Sequence, residues 1–173
     1  MLEEQKVPFQ IFSDRQELPR CRVLILADEI RLSPRLAEQV KRHLAAGGKV
    51  ISSYHGGLAE TGDDFALPDE WGMRSNGEWS YDPAFLTAPE LPPMPVAIGS
   101  EGLPVEVRPG AGAEMRAELV KPFFNRGWNG EHGLVYLPPD APTGIAAALQ
   151  HGDVLHCVFP LFRNYYRNAQ VPM

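Results

Sequence analysis

The sequence predicts a three-layer α/β domain: a mostly parallel sheet, a loop-rich insertion over residues 56–109 and a β-rich C-terminal half. Three observations carry this. An apolar strand, a capped helix and a second apolar strand follow one another between residues 22 and 53. Fourteen of the 17 prolines fall after residue 60, so the first part reads as regular α/β structure and the second half as mostly β. Short strand-like runs then recur towards the end of the chain. At 173 residues the chain has the size of one domain, since domains run ~100–200 residues.

Taken in order, Val7 to Phe12 reads as a short strand with Pro8 near its start, where a missing N–H is tolerated. Arg22-Val23-Leu24-Ile25-Leu26-Ala27 is nearly continuous in apolar character, as a strand buried on both faces requires, and it ends in Asp28-Glu29. Ser33 and Pro34 are a favourable N-cap and first helical residue. Leu36, Val40 and Leu44 then recur every four residues to make one apolar stripe, and Gly47-Gly48 ends the helix. Lys49 to Ser53 is the next strand, which makes a βαβ unit with a right-handed crossover. From Gly56 to Pro109 the periodicity is lost. Beyond it Met115–Val120, Gly133–Leu137, Ile145–Leu149 and Val154–Phe159 read as strands, the last two joined by a hairpin turn at Gln150-His151-Gly152-Asp153.

Composition excludes several functions. A net charge of -6 repels phosphate backbones and anionic lipid, so neither nucleic acid nor a membrane surface is an expected partner. No apolar run approaches the ~20 residues that span a bilayer, and the first residues lack a secretion signal. Cys21 and Cys157 each lie in or beside an apolar run and read as unpaired core thiols, which suits the cytoplasm.

Ligands of open α/β sheets bind at the carboxyl ends of strands. Two such ends are legible, Asp28-Glu29 and Tyr54-His55-Gly56-Gly57, so Asp28, Glu29, Tyr54 and His55 form the candidate ligand-binding set. Neither turn carries a nucleophile flanked by glycines. His156 and Cys157 are adjacent in a strand and point to opposite faces, so they form no dyad. The five histidines show no metal-ligand spacing, and no cofactor is expected. His43 suits the dipole at a helix end, and His151 reads as a hairpin tip. Glu131-His132 in a glycine-rich stretch is a weaker loop site. Trp71, Trp79, Tyr81 and Phe85 either pin the insertion to the body or present a sugar-stacking platform. Phe123-Phe124-Asn125-Arg126 and Phe162-Arg163-Asn164-Tyr165 combine aromatic, Arg and Asn residues of the kind enriched at interfaces.

The run Val23-Leu24-Ile25-Leu26-Ala27-Asp28-Glu29-Ile30-Arg31-Leu32-Ser33, with Leu44-Ala45-Ala46-Gly47-Gly48-Lys49-Val50-Ile51, resembles the class I glutamine-amidotransferase-like domain of glycoside hydrolases, called the β-galactosidase trimerisation domain. Asp69-Glu70-Trp71-Gly72-Met73, Pro122-Phe123-Phe124-Asn125-Arg126 and Phe159-Pro160-Leu161-Phe162-Arg163-Asn164-Tyr165 extend the resemblance over nearly the whole chain. It implies a flavodoxin-like fold. Amidotransferases of this fold carry a Cys on the turn after the strand matching Lys49–Ser53 and a His-x-Glu pair; this chain has Tyr54-His55 there and no His-x-Glu. The resemblance therefore implies a non-catalytic accessory or oligomerisation module whose partners are the catalytic barrel of its own glycoside hydrolase, further copies of itself, or both. It also implies a piece of a longer protein, or a domain whose first strand is replaced, with an exposed sheet edge as the consequence. The alternative is a small-molecule or carbohydrate-binding or hydrolase domain using Asp28, Glu29 and His55 at the strand ends.

Overall fold

A computed structural model describes residues 2–98, 101–125 and 137–168. The βαβ unit forms as the sequence predicts: β1 (Val23–Leu26), α1 (Pro34–Ala45) and β2 (Lys49–Ser53), with β1 and β2 parallel. The Ser33 hydroxyl accepts the Leu36 N–H, Pro34 opens the helix, and Gly47 (φ 81°) takes the left-handed position that ends it. The buried face of α1 holds Leu36, Ala37 and Val40, and also Gln39 and His43. The Gln39 amide accepts the Leu18 N–H and donates to the Gln16 carbonyl, which ties the N-terminal segment to the helix. His43, in the last turn as read from the sequence, lies over Gly48 and donates from Nε2 to the Lys49 carbonyl.

Beyond β2 the chain forms α2 (Pro68–Trp71), β3 (Met73–Glu78), β4 (Phe85–Thr87), β5 (Val96–Ala97), β6 (Val105–Pro109), β7 (Glu114–Pro122), β8 (Pro139–His151), β9 (Val154–Cys157) and α3 (Leu161–Asn168). Seven strands make one sheet in the order β1-β2-β9-β8-β7-β4-β5, and β3 and β6 make a separate antiparallel ribbon. The expectation of a mostly parallel sheet is corrected here. Only the β1–β2 and β2–β9 pairings are parallel; the other four pairings are antiparallel. The reason is the connections. A parallel neighbour needs a crossover of a dozen or more residues, usually a helix, whereas an antiparallel neighbour needs only a tight turn. α1 is such a crossover helix between the parallel β1 and β2, and a tight turn at Gly152 (φ 52°) joins the antiparallel β8 and β9.

Residues 7–12 are a second correction. They form no strand: Pro8 lacks a donor, Ile11 is 86% exposed, and among the described residues no backbone hydrogen bond joins this segment to β1. β1 is thus a sheet edge, flanked by a groove of about 1300 Å³ between residues 7–25 and the end of α1. The strands read within Met115–Val120, Ile145–Leu149 and Val154–Phe159 are present in β7, β8 and β9. The one read at Gly133–Leu137 lies outside the described residues except for Leu137. β8 extends beyond its apolar core to Pro139, and Pro139 and Pro142 sit at irregular register against β7, where a missing N–H is tolerated.

The residues 56–109 read as loop supply two strands of the main sheet and the whole β3–β6 ribbon. Trp71, Trp79 and Phe85 act as pins: they are buried, with Trp71 fully enclosed, and offer no stacking face to a sugar, while the exposed Tyr81 packs on Trp79 at 5.2 Å. One face of the sheet, carrying Leu24, Leu26, Val50, Ser52, Val154 and His156, is covered by Trp71 and Phe65.

Candidate functional site

Because β1 and β2 are adjacent and parallel, the turns after them meet at one end of the sheet. Both turns are tight. Asp28 (φ 37°) and Tyr54 (φ 54°) take left-handed conformations that non-glycine residues adopt rarely. Gly56 allows the close approach, since a Cβ there would fall 2.3 Å from the Leu26 carbonyl oxygen. α3 folds back onto this end from the far end of the sequence.

Asp28 is the structural hinge of the cluster. Its carboxylate accepts the Ser53 hydroxyl at 2.6 Å, the Phe162 N–H at 3.3 Å and the Arg163 N–H at 2.7 Å. The Ser53 Oγ in turn accepts the Asp28 N–H at 2.9 Å. Asp28 therefore caps α3 from another element, satisfying N–H groups that a helix start leaves orphaned. Removing it leaves two helix N–H groups and the fully buried Ser53 without their acceptor. Asp28→Ala is expected to lose about 2–4 kcal/mol in urea unfolding, whereas Asp28→Asn, which keeps an acceptor oxygen and tolerates positive φ, loses less. Equal losses in the two variants would count against the capping role.

Glu29 faces solvent beside it. Its carboxylate accepts from His55 Nδ1 at 2.8 Å and from Arg163 Nη2 at 2.7 Å, and Arg163 Nη1 donates to the Glu101 carbonyl. Burial alone would raise the Glu29 carboxyl; the hydrogen bonds and charges of His55 and Arg163 outweigh it and hold the group below its ordinary value. The Tyr54 ring stacks on His55 at 3.8 Å, and burial, followed by the charges of Glu29 and Glu78, raises its hydroxyl. The candidate set thus divides into Asp28, turned inward to α3, and an outward chain of Arg163, Glu29, His55 and Tyr54.

Within this cluster neither the Ser53 hydroxyl nor the Cys157 thiol is activated as a nucleophile. The Ser53 hydroxyl is sealed under Asp28. Cys157 borders the cluster, but burial and the nearby Asp28 push its thiol up to about 12, so it stays protonated at neutral pH. Both cysteines are free thiols. Among the described residues no group of three or more His, Cys, Asp or Glu could hold a metal ion, and no helix is long and apolar enough to cross a membrane.

The proposed interface residues are split by the fold. Phe123 and Phe124 are 67% and 42% exposed and pack edge-to-face on each other. The Asn125 amide holds residues 80–82, accepting the Asp82 N–H and donating to the Ser80 carbonyl. Arg126, like Glu131 and His132, lies outside the described residues. Of the second cluster, Phe162 and Tyr165 are half-buried, Arg163 belongs to the Glu29 chain, and Asn164 is fully buried. Reading Arg163 as part of an aromatic cluster missed its pairing with Glu29, which no local signal announces. Its sequence distance from Glu29 hides it.

The architecture recurs in solved glycoside hydrolases. The chain superposes on alpha-L-fucosidase isoenzyme 2 from Paenibacillus thiaminolyticus with a TM-score of 0.83 at 20% identity, covering 97% of this chain and 26% of that one. A beta-galactosidase from Rahnella sp. R3 matches with a TM-score of 0.66 at 13% identity, covering 99% and 26%. The exo-beta-1,4-mannosidase Op5Man5 from Opitutaceae bacterium strain TAV5 matches with a TM-score of 0.62 at 14% identity, covering 98% and 27%. This chain therefore has the fold of a unit that spans about a quarter of each of these enzymes. No family model matches the chain, and no curated protein matches it by sequence.

Proposed function

We propose that this chain is a non-catalytic accessory domain of a glycoside hydrolase, amidotransferase-like in descent, that contributes association rather than chemistry. The observation that carries the reading is the state of the strand-end site. Where an amidotransferase of this fold holds its thiol, the turn presents Tyr54, and the adjacent carboxylate Asp28 is consumed in capping α3. The neighbours support it, since each is a much larger chain of which this fold is a minor part. The exposed Phe123–Phe124 pair is the proposed contact with a catalytic barrel or a further copy, because desolvated aromatics dominate interface energetics.

Light scattering from micromolar to hundreds of micromolar protein, alone and with the catalytic barrel of a β-galactosidase, tests this. The expected result is association that a Phe123→Ser, Phe124→Ser double variant abolishes without loss of fold. Glutaminase or glycosidase activity in the isolated chain, or association indifferent to those two positions, would overturn it. A second reading, ligand binding at Glu29, Tyr54 and His55, is favoured by the outward-facing carboxylate–imidazole pair. It predicts that His55→Ala abolishes saturable binding of an oligosaccharide to the chain.

A further inference from the structure

At the opposite end of the sheet, where β9 begins, a cavity of about 450 Å³ lies between α2, the β3–β6 ribbon and the end of β8. That volume is within the range of small-molecule sites. Its polar lining is Asp64, Asp69, Arg74, Ser75, Arg108 and His151.

Arg74 and Arg108 are register partners on the antiparallel ribbon, so their side chains leave the same face directly opposite one another. Like charges in that position repel. Arg74 is balanced, since Nη1 donates to Asp64 Oδ2 at 2.9 Å. Asp64 is fully committed, because its Oδ1 also accepts the Phe65 and Ser75 N–H groups. Arg108 has no hydrogen-bond or ion-pair partner among the described residues, and neither has Asp69.

His151 is set into the same cavity by its surroundings. Its ring fills the space beside Gly72, where a Cβ would fall 2.2 Å from Cγ, and lies 3.8 Å from the Cβ position of Gly112. Both glycines have positive φ, 63° and 81°, and at Gly72 a larger side chain would also displace the ring. His151 Nδ1 lies 3.1 Å from the Glu70 carbonyl oxygen, which can only accept. In the neutral tautomer that donates from Nδ1, Nε2 is an acceptor with no hydrogen-bond partner among the described residues. Asp153, two residues on, pairs with Lys49 and plays no part.

One unpaired guanidinium beside a second, with a carboxylate and an imidazole acceptor on the same cavity, asks for a ligand with an anionic end and hydroxyl donors. We infer that the Arg74–Arg108–His151 cavity is a binding site for a monoanionic, polyhydroxylated carboxylate of the sugar-acid class. The carboxylate bridges the facing arginines, and hydroxyls donate to Asp69 and to His151 Nε2. Inorganic dianions fit poorly, since Asp69 and Asp64 repel a second negative charge. The site does not depend on the chain's association with a hydrolase.

Isothermal titration of the chain with sodium galacturonate tests this, with galactose, acetate and sulfate as comparisons. The expected result is saturable galacturonate binding, tighter than that of all three comparisons. Arg108→Gln, at an exposed position, should weaken it by about tenfold or more, as loss of a charge-assisted pair does. Asp69→Asn should weaken galacturonate while improving sulfate. No saturable galacturonate binding, an Arg108→Gln variant that binds as the wild type does, or sulfate binding at least as tightly as galacturonate would each overturn the inference. Gly72→Ala provides an independent arm: displacing His151 should lower galacturonate affinity in a protein whose circular dichroism shows it folded, and unchanged affinity there would remove His151 from the site.

Discussion

Trp71→Ala is expected to destabilise the chain by about 3–5 kcal/mol, a large part of the ~5–15 kcal/mol that holds a domain of this size together. Trp71 is fully enclosed at the end of α2. Its indole stacks on Phe65 at 6.1 Å and lies against the backbone of Gly57, where a Cβ would fall 2.7 Å from the ring. The indole N–H donates to the Ser52 hydroxyl at 3.1 Å. Truncation leaves a cavity bounded by the β2 backbone on one side and by Phe65 on the other, and neither can collapse into it without moving a strand. Trp71→Phe keeps most of the volume and loses the hydrogen bond, so it should cost about 1–3 kcal/mol. Urea midpoints at constant slope measure both. A loss below about 1 kcal/mol for Trp71→Ala would mean that the segment from Gly56 to Met73 is not pinned to the sheet by this residue.

The same residue shows what the sequence could and could not tell. The β1–α1–β2 unit was legible because its signals are local: an apolar run, an N-cap Ser followed by Pro, a stripe every four residues, a closing Gly pair. The pairing of β9 with β2 was not, because no local pattern records which strand lies beside which over a hundred residues of intervening chain. β4 and β5 have three and two residues, too short to show alternation, and so these two strands of the main sheet read as loop. Trp71 read as a pin or a platform; burial made it a pin.

At the strand ends the split is similar. Asp28, Glu29, Tyr54 and His55 stood out as strand-terminal residues, and parallel pairing of β1 and β2 brings their turns together. Their division into an inward cap and an outward pair required α3, which returns more than 130 residues later in sequence to place Arg163 against Glu29. His151 read as a hairpin tip because its neighbours are Gly152 and Asp153. The residues that position it are Glu70 and Gly72, neither of them near in sequence. Glycines at positive φ that flank a distant histidine are visible only once the chain is folded.

Acid should unfold this protein through His156 before its exposed carboxylates dominate. His156 is fully buried on the sheet face beneath Phe65, whose ring meets it edge-on at 5.0 Å. Ser52 Oγ lies 2.9 Å from its Nδ1 and also accepts the Trp71 N–H. Nε2 has no hydrogen-bond partner among the described residues, so nothing there stabilises a cation. Burial lowers the imidazole from 6.5 to about 3. A depressed folded value means that the unfolded chain takes up the proton first. The contribution of neutral His156 is therefore intact above about pH 6.5, declines by roughly 1.4 kcal/mol for each unit below it, and levels off near pH 3. Carboxylates titrate in the lower part of that window, so the informative quantity is the gap between wild type and His156→Asn, whose amide can still hydrogen-bond with Ser52. Wild type should be the more stable at pH 7, and the gap should narrow steadily as the pH falls from 6.5 to 4. A constant gap would show that the folded protein accommodates the charge, and the Trp71–Ser52–His156 line would then have to reach solvent when protonated.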